Sequence, residues 1–403
     1  MRLFADLHDV DCDEIFYKKP TEFSKNSSKE MLSYALGATL YMPATRPNIH
    51  QDLLSKKHSG LTSMVICLED AIGDEEVERA EALLAAELYN LKEDMEKGLL
   101  NENDLPLIFI RIRDYDQLVR LKKRIDKGLE LLTGIVIPKF CPEKGRLVLQ
   151  EIQALNHKGY KLYALPILET KKVIEKETRL NELVAIKKLV DQFEDFILNI
   201  RIGATDFCGL YGIRRNSDTT VYDIAVIRDC ISDIVNIFLR SDHPYVISGP
   251  VWEYFFSKER MLKPQLRQTP FRERYGQDGI QYRSKLIDKH MDGLIREIVM
   301  DKTNGLTGKT IIHPTHIRPV QALYTVTFEE YLDAKSIVDQ ANGTIGVMKS
   351  SFSNKMNEIK PHYYWAQKIL LKSEIYGVLN EDYTYIDLLT NEVYASSPQP
   401  VKS

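Results

Sequence analysis

Eight short apolar runs recur along the chain, separated by charged stretches with helical periodicity, and this alternation constrains the fold more than any other feature. The runs are Ala38–Pro43 (ATLYMP), Met64–Leu68 (MVICL), Leu107–Ile112 (LIFIRI), Gly134–Pro138 (GIVIP), Leu162–Leu168 (LYALPIL), Phe196–Ile202 (FILNIRI), Tyr245–Ile247 (YVI) and Thr310–Ile312 (TII). Continuous apolar runs of this length suit strands covered on both faces, as in parallel sheets. Between them, segments such as Asp74–Met95 and Leu180–Phe193 are rich in Glu, Lys, Leu and Ala and read as amphipathic helices. Eight strands alternating with helices predict a closed α/β barrel of the (β/α)8 type. An open doubly wound sheet is the alternative, but the Gly-rich first turn it normally carries is missing.

The polar residues at the ends of these runs carry the functional signal. Arg46 follows the first run, Glu69 and Asp70 the second, Lys139 the fourth, Glu169 the fifth, Asp206 the sixth and His313 the eighth, while Arg111 and Arg113 close the third. In a barrel all such positions fall on one rim, the C-terminal mouth where active sites are built. Each also has a plain structural reading. Glu69–Asp70 suits a helix cap, Glu169 and Asp206 suit strand-end ion pairs, and Arg111 and Arg113 suit interior charges paired with acids.

With 403 residues, 44% of them hydrophobic, the chain holds enough apolar material for a barrel of about 250 residues and an added segment. A net charge of −4 gives no electrostatic case for nucleic acid or an anionic membrane surface, though a small anionic substrate fits. No uncharged apolar stretch approaches the roughly 18 residues of a membrane helix. The N-terminal MRLFADLHDVDCDEIF is too acidic for a signal peptide. The five cysteines form no CxxC pair, so a cytoplasmic protein with free thiols is expected, Cys67 and Cys208 being packing residues.

Three parts are expected: a lead-in segment over 1–34, the barrel over 35–326 and a C-terminal helical extension and tail over 327–403. Thr327–Ala341 opens on a Thr cap with acidic first-turn residues and reads as a helix. Asn342–Asn354 reads as a mobile loop, Pro361–Ile375 as a helix and Tyr383–Tyr394 as a hairpin around Thr390–Asn391. Asn304–Thr310 (NGLTGKT) is close to a phosphate-binding loop, but it precedes an apolar run and lacks the first glycine, so it reads as a turn into the last strand.

The segments YMPATRPN and VICLEDAIGDEEVERA resemble the opening of the citrate lyase β-subunit and malyl-CoA lyase-type aldolases. The resemblance continues in family order through FIRIRD, GIVIPKF, LPILET, IRIGATDFCGLYG and GKTIIHPTHIRPV, over roughly Leu36 to Gln340. It is nearest to a divergent branch of C–C bond lyases of the TIM-barrel fold from tellurium-resistance-type gene clusters. It implies a TIM barrel, commonly a trimer or hexamer, with Glu169 and Asp206 as ligands of Mg²⁺, Mn²⁺ being the alternative. Arg46 and Arg111 would anchor substrate, with Glu69 and Asp70 beside them as catalytic residues. Arg113 and Lys139 would add substrate-binding charge, and Lys139 is also the residue type of a Schiff-base aldolase.

Two carboxylates on a hard dication leave room for a chelating 2-oxo acid and water. Arginine forks suit carboxylate and enolate oxygens. The expected activity is therefore a metal-dependent aldol- or Claisen-type lyase or synthase acting on a 2-oxo or 3-hydroxy acid, free or as a coenzyme A thioester. Thioester hydrolysis, or a non-catalytic metal- or ligand-binding barrel, are the alternatives. The chain departs from the family pattern at Arg113, where an Asn is usual, and around Arg214 and Arg215, where the match to a thioester-proximal basic residue is loose.

Overall fold

The computed structural model describes residues 1–255, 289–341, 343 and 346–389. Eight parallel strands form its centre: β1 (Ala38–Pro43), β2 (Ser63–Cys67), β3 (Leu107–Arg111), β4 (Gly134–Ile137), β5 (Tyr163–Leu168), β6 (Ile200–Ile202), β7 (Ile247–Ser248) and β8 (Lys309–Ile311). Neighbours pair in chain order, and β8 returns to β1 through Ala38↔Lys309. A parallel bridge, Gly249↔Lys309, joins the end of β7 to β8, with the Thr310 amide donating to the Gly249 carbonyl at 3.1 Å. The expected (β/α)8 TIM barrel is therefore present, and every residue of β2, β3, β4 and β5 is buried.

Helices cover the strands. Val77–Glu96 buries Ala80, Leu84, Leu88 and Leu91, a three-to-four-residue spacing that turns one face inward. Each of those leucines contributes on the order of 2 kcal/mol by leaving water. The strand segments are shorter than the apolar runs. Phe196 belongs to a 3₁₀ turn, so the sixth run narrows to Ile200–Ile202. β8 begins one residue early because the Lys309 ammonium is buried on Glu297 (2.9 Å) and Asp301 (2.7 Å), so a charged residue takes a strand position. Asn304–Thr310 is a turn leading into β8. Gly305 and Gly308 have φ of 84° and 75°, and a Cβ on Gly308 would lie 2.7 Å from the Gly37 carbonyl.

The chain divides into two compact units. The first holds Met1, Phe23–Glu253 and Arg296–Ile317, and with them the barrel. The second holds Arg2–Glu22, Arg318–Ser403 and Tyr254–Ile295, as far as these are described. Within it the strand Phe16–Lys18 pairs antiparallel with Val378–Leu379, so the N-terminal residues join the C-terminal extension. The helices Phe328–Asp339 and Ile359–Tyr376 share a core of Ala334, Ile337, Ala366 and Ile369. The first is fixed by a complete capping box between Thr327 and Glu330.

Two expectations for this region change. The stretch read as a mobile loop, Asn342–Asn354, contributes the strand Val347–Lys349 to an antiparallel hairpin with Met356–Glu358. Lys355, beside that hairpin, pairs with Glu329 (2.6 Å) and Asp333 (2.7 Å). Ion pairs and backbone bonds hold this hairpin, and neither shows in a Gly/Ser/Asn-rich composition. In the tail, residues 385–389 are helical where a hairpin strand was expected, and Thr390–Tyr394 lies outside the described residues. No helix among the described residues is long and apolar enough to cross a membrane.

Candidate active site

Six of the nine rim residues singled out from the sequence converge at the C-terminal ends of β2 to β6. Glu69 and Asp70 follow β2, Arg111 ends β3, Lys139 follows β4, Glu169 follows β5, and Asp206 lies in the first turn of the helix Ala204–Leu210 after β6. The Arg111 Nη2 lies 2.7 Å from Glu69, 3.0 Å from Asp70 and 3.3 Å from Glu169. The Lys139 Nζ pairs with Glu69 and lies 3.3 Å from Asp70. The Lys139 backbone N–H donates to Glu169 Oε1 at 2.8 Å. It does so from a left-handed conformation (φ 47°), which a non-glycine residue holds only where its surroundings enforce it.

Glu169 and Asp206 face each other closely enough for their carboxylates to share a hydrogen bond. The approach depends on Gly203, where a Cβ would fall 2.1 Å from Glu169 Oε2. Burial pushes the Glu169 carboxyl up to about 7; the Arg111 charge opposes this and Asp206 adds to it. Burial, then the charge of Asp70, also raises Asp206, and burial raises Glu69. Asp70 goes the other way. Burial works against its charge, but the hydrogen bond with Glu69 and the charges of Arg111 and Lys139 outweigh it, holding its carboxyl below the ordinary value. Burial opposes the Lys139 charge and Glu69 more than offsets it, so Lys139 stays protonated to higher pH than a free lysine.

Counted at full ionisation, the cluster holds four carboxylates (Glu69, Asp70, Glu169, Asp206) against two cations (Arg111, Lys139), an excess of two negative charges. Two hard carboxylates facing each other across that excess suit a divalent cation of the Mg²⁺ type, which takes one or two carboxylates and fills its other positions with water or substrate oxygen. Among the described residues no group of three or more His, Cys, Asp and Glu is placed to hold a metal.

The other two arginines are engaged elsewhere. Arg46 pairs with Asp52 at 2.6 Å, on the loop after β1, and Glu69 and Asp70 turn to Arg111 and Lys139 instead of to it. Arg113 donates from Nε to the Leu68 carbonyl (2.8 Å), from Nη2 to the Ile72 carbonyl (3.1 Å) and from Nη1 to Asp74 (2.5 Å), which pins the loop after β2. Arg215 is buried on Glu297 at 2.8 Å, so it is a structural cation and not a surface anchor for a thioester. Cys67 and Cys208 are buried free thiols, as expected of packing residues.

Two contributors were missed. Gly203 was read only as part of a motif, although its contact with Glu169 explains why no side chain fits there. Arg201, inside β6, was passed over within an apolar run, although an arginine flanked by Ile200 and Ile202 is itself a signal of interior charge.

A family model described as "C-C_Bond_Lyase of the TIM-Barrel fold" matches residues 30–378. Similar solved structures include a citrate lyase from Burkholderia xenovorans LB400, with 15% identity, 88% of this chain and 96% of that one covered, and a TM-score of 0.56. CitE from Mycobacterium tuberculosis, solved with magnesium, acetoacetate and coenzyme A, has 17% identity, coverage of 85% and 99%, and a TM-score of 0.49. RipC from Yersinia pestis has 17% identity, coverage of 74% and 99%, and a TM-score of 0.44. No curated protein matches the sequence.

Proposed function

Since the chain belongs to the C–C bond lyases of the TIM-barrel fold, we propose that it is a Mg²⁺-dependent enzyme that makes or breaks a carbon–carbon bond beside a carbonyl of a small 2-oxo or 3-hydroxy acid. The observation that carries this reading is the uncompensated pair of negative charges at the barrel mouth, with the Glu169 and Asp206 carboxylates side by side. These two residues would hold the metal, and Mn²⁺ suits the same oxygens. A bound dication supplies Lewis acidity toward a carbonyl oxygen.

The remaining steps fall to residues of the chain. Arg111 keeps its Nε without a partner and can donate to a carboxylate or enolate oxygen, where charge develops. In the cleavage direction the β-hydroxyl gives up its proton, its electron pair forms the new carbonyl, and the breaking C–C bond leaves its electrons on the enolate. In this reading Glu69 would take that proton, with the Lys139 ammonium against its Oε1. Burial holds Glu69 and Glu169 away from bulk water, which strengthens each of these interactions.

The same reading makes the protein a cytoplasmic homo-oligomer, a trimer or hexamer, with the residues after Thr327 as the expected subunit contacts. Light scattering at micromolar concentration tests this, and a monomer would count against it. The functional test is calorimetry of Mg²⁺ on the wild type, Glu169→Ala and Asp206→Ala, followed by a screen of 2-oxo and 3-hydroxy acids and their thioesters for cleavage. Saturable Mg²⁺ binding lost in both variants, with turnover of one substrate class, is expected. Unchanged Mg²⁺ affinity in both variants would remove the metal site, and Mg²⁺ binding without turnover of any substrate would leave a non-catalytic barrel.

A further inference from the structure

Arg201 projects from β6 into the barrel and is 1% exposed. Its Nη2 donates to Thr310 Oγ1 at 2.6 Å, and its guanidinium carbon lies 5.5 Å from the centre of the Tyr41 ring. Among the described residues its Nε and Nη1 have no hydrogen-bond partner. Among the described residues, likewise, no carboxylate compensates it, and the other cation that acts on it, Arg111, repels it. Burial works against the guanidinium charge, yet arginine has no accessible neutral form to retreat to. A buried charge of this kind is normally paired, and an unpaired one calls for an explanation such as an ion or a ligand group. Tyr41 and Thr310, the two residues on Arg201, are both partly exposed, so the guanidinium is covered without being sealed in.

We infer that Arg201, Thr310 and Tyr41 form an anion-binding position inside the barrel that takes a single carboxylate or similar small oxyanion. The guanidinium supplies charge and a free donor at Nε or Nη1, and the Tyr41 ring supports it from one side. That anion is either a carboxylate of the substrate or a free ion. If it belongs to the substrate, the inference rests on the lyase reading and adds that the substrate carries a second negative group.

The test starts with the full chain in chloride-free, metal-free buffer, titrated with formate and with phosphate by calorimetry and thermal unfolding. Saturable binding of at least one of them is expected in the wild type. It should weaken about tenfold or more in Arg201→Met and survive in Glu169→Gln, where the metal site is damaged. Survival there separates this inference from the lyase reading, since anion binding and Mg²⁺ binding then fail independently. In anion-free buffer Arg201→Met should melt no lower than the wild type, because the variant removes a buried unpaired charge. An arginine needed only for packing would give a clear drop. If the variant does not fold, Thr310→Val, which removes only the hydroxyl, should still weaken formate binding several-fold. Once a substrate is found, competitive inhibition by formate assigns the position to the substrate's own carboxylate, and unchanged formate affinity at saturating substrate assigns it to a free ion. Absence of saturable anion binding in the wild type, or equal binding in wild type and Arg201→Met, overturns the inference.

Discussion

Two clusters of buried charge in the same unit use the same residue types and behave oppositely. Beside β8, Glu297 and Asp301 meet Arg215 and Lys309, with all four side chains 0–1% exposed, and Glu253 lies at the edge, 3.6 Å from Arg215. Each carboxylate oxygen of Glu297 and Asp301 is bonded. Glu297 accepts from Lys309, Arg215 and the Val221 amide, and Asp301 from Lys309 and Tyr222. At the mouth, four carboxylates face two cations, and Asp70 and Lys139 are each half exposed. Closure and complete hydrogen bonding of Glu297 and Asp301 mark the first as structural; excess charge and access mark the second as a place for a ligand. Burial alone does not separate them, because Glu169 is nearly as buried as Glu297.

The sharpest way to break this contrast is to remove one partner from each cluster. Lys309→Met leaves the buried Asp301 without its cation and Glu297 with Arg215 alone, and should cost about 3–5 kcal/mol, enough to unfold a marginal domain. Glu169→Gln in metal-free protein removes a carboxylate from an excess and should leave stability unchanged or slightly raised. Urea unfolding of both variants decides it, and comparable losses in the two would mean the mouth is as structural as the closed cluster.

The next effect is on rate. Arg111→Lys keeps the charge and loses the planar guanidinium, whose Nη2 meets Glu69, Asp70 and Glu169 while its Nε remains as a further donor. A fall of about 10²-fold in kcat with little change in KM is expected, because a donor aimed at developing charge acts mainly in the transition state. Steady-state kinetics checks it, and an unchanged kcat would remove Arg111 from the chemistry.

A smaller effect follows from proton competition. With Glu169 pushed up to about 7 in the metal-free protein, Mg²⁺ must displace a proton below that pH. Apparent Mg²⁺ affinity should therefore rise with pH, by up to about tenfold per unit, and level off above about 7. The stability sign is the reverse. A carboxyl raised in the folded state binds its proton more tightly there than in the unfolded chain, so metal-free stability falls as pH rises from the ordinary carboxylate range through about 7. Saturating Mg²⁺ should flatten that fall. A pH-independent affinity between 5.5 and 8 would show that Glu169 is not the titrating ligand.

How far the sequence reveals all this depends on the kind of interaction. The barrel is legible because a two-sided buried strand must be continuously apolar, and Met64–Leu68 or Leu107–Ile112 have few other uses. The rim carboxylates are legible because strand ends in a parallel barrel share one face. Partner choice is not. Arg46, Arg111 and Arg113 look alike in the sequence, and only geometry gives the first to Asp52 and the second to the cluster. The union of Phe16–Lys18 with Val378–Leu379 spans most of the chain, and no local pattern encodes such a pairing. Arg201 and Lys309 were hidden for a related reason, since a charge within or beside an apolar strand declares itself only through the partner that it has or lacks.

The smallest expected effect is at Arg113, and it tests whether a cation at the mouth acts on ligand or on protein. All three guanidinium nitrogens of Arg113 are committed, to the Leu68 and Ile72 carbonyls and to the exposed Asp74. The bond to Asp74 is solvent-screened and adds little, so its loss costs at most about 1 kcal/mol. The two bonds to backbone carbonyls hold the turn that carries Glu69 and Asp70. Arg113→Asn should therefore lower stability by roughly 1 kcal/mol and loosen Asp70 more than Glu69, since Glu69 is held separately by Arg111 and Lys139. Its kinetic trace should be a few-fold change in both kcat and KM for every substrate alike. Arg113→Lys should do no better, because one ammonium cannot serve both carbonyls and Asp74 from one position. Specificity constants measured across mono- and dianionic acids provide the check. A selective loss for dianionic acids would mean that Arg113 leaves its carbonyl partners for the substrate, and the division between loop clamp and ligand anchor would have to be redrawn.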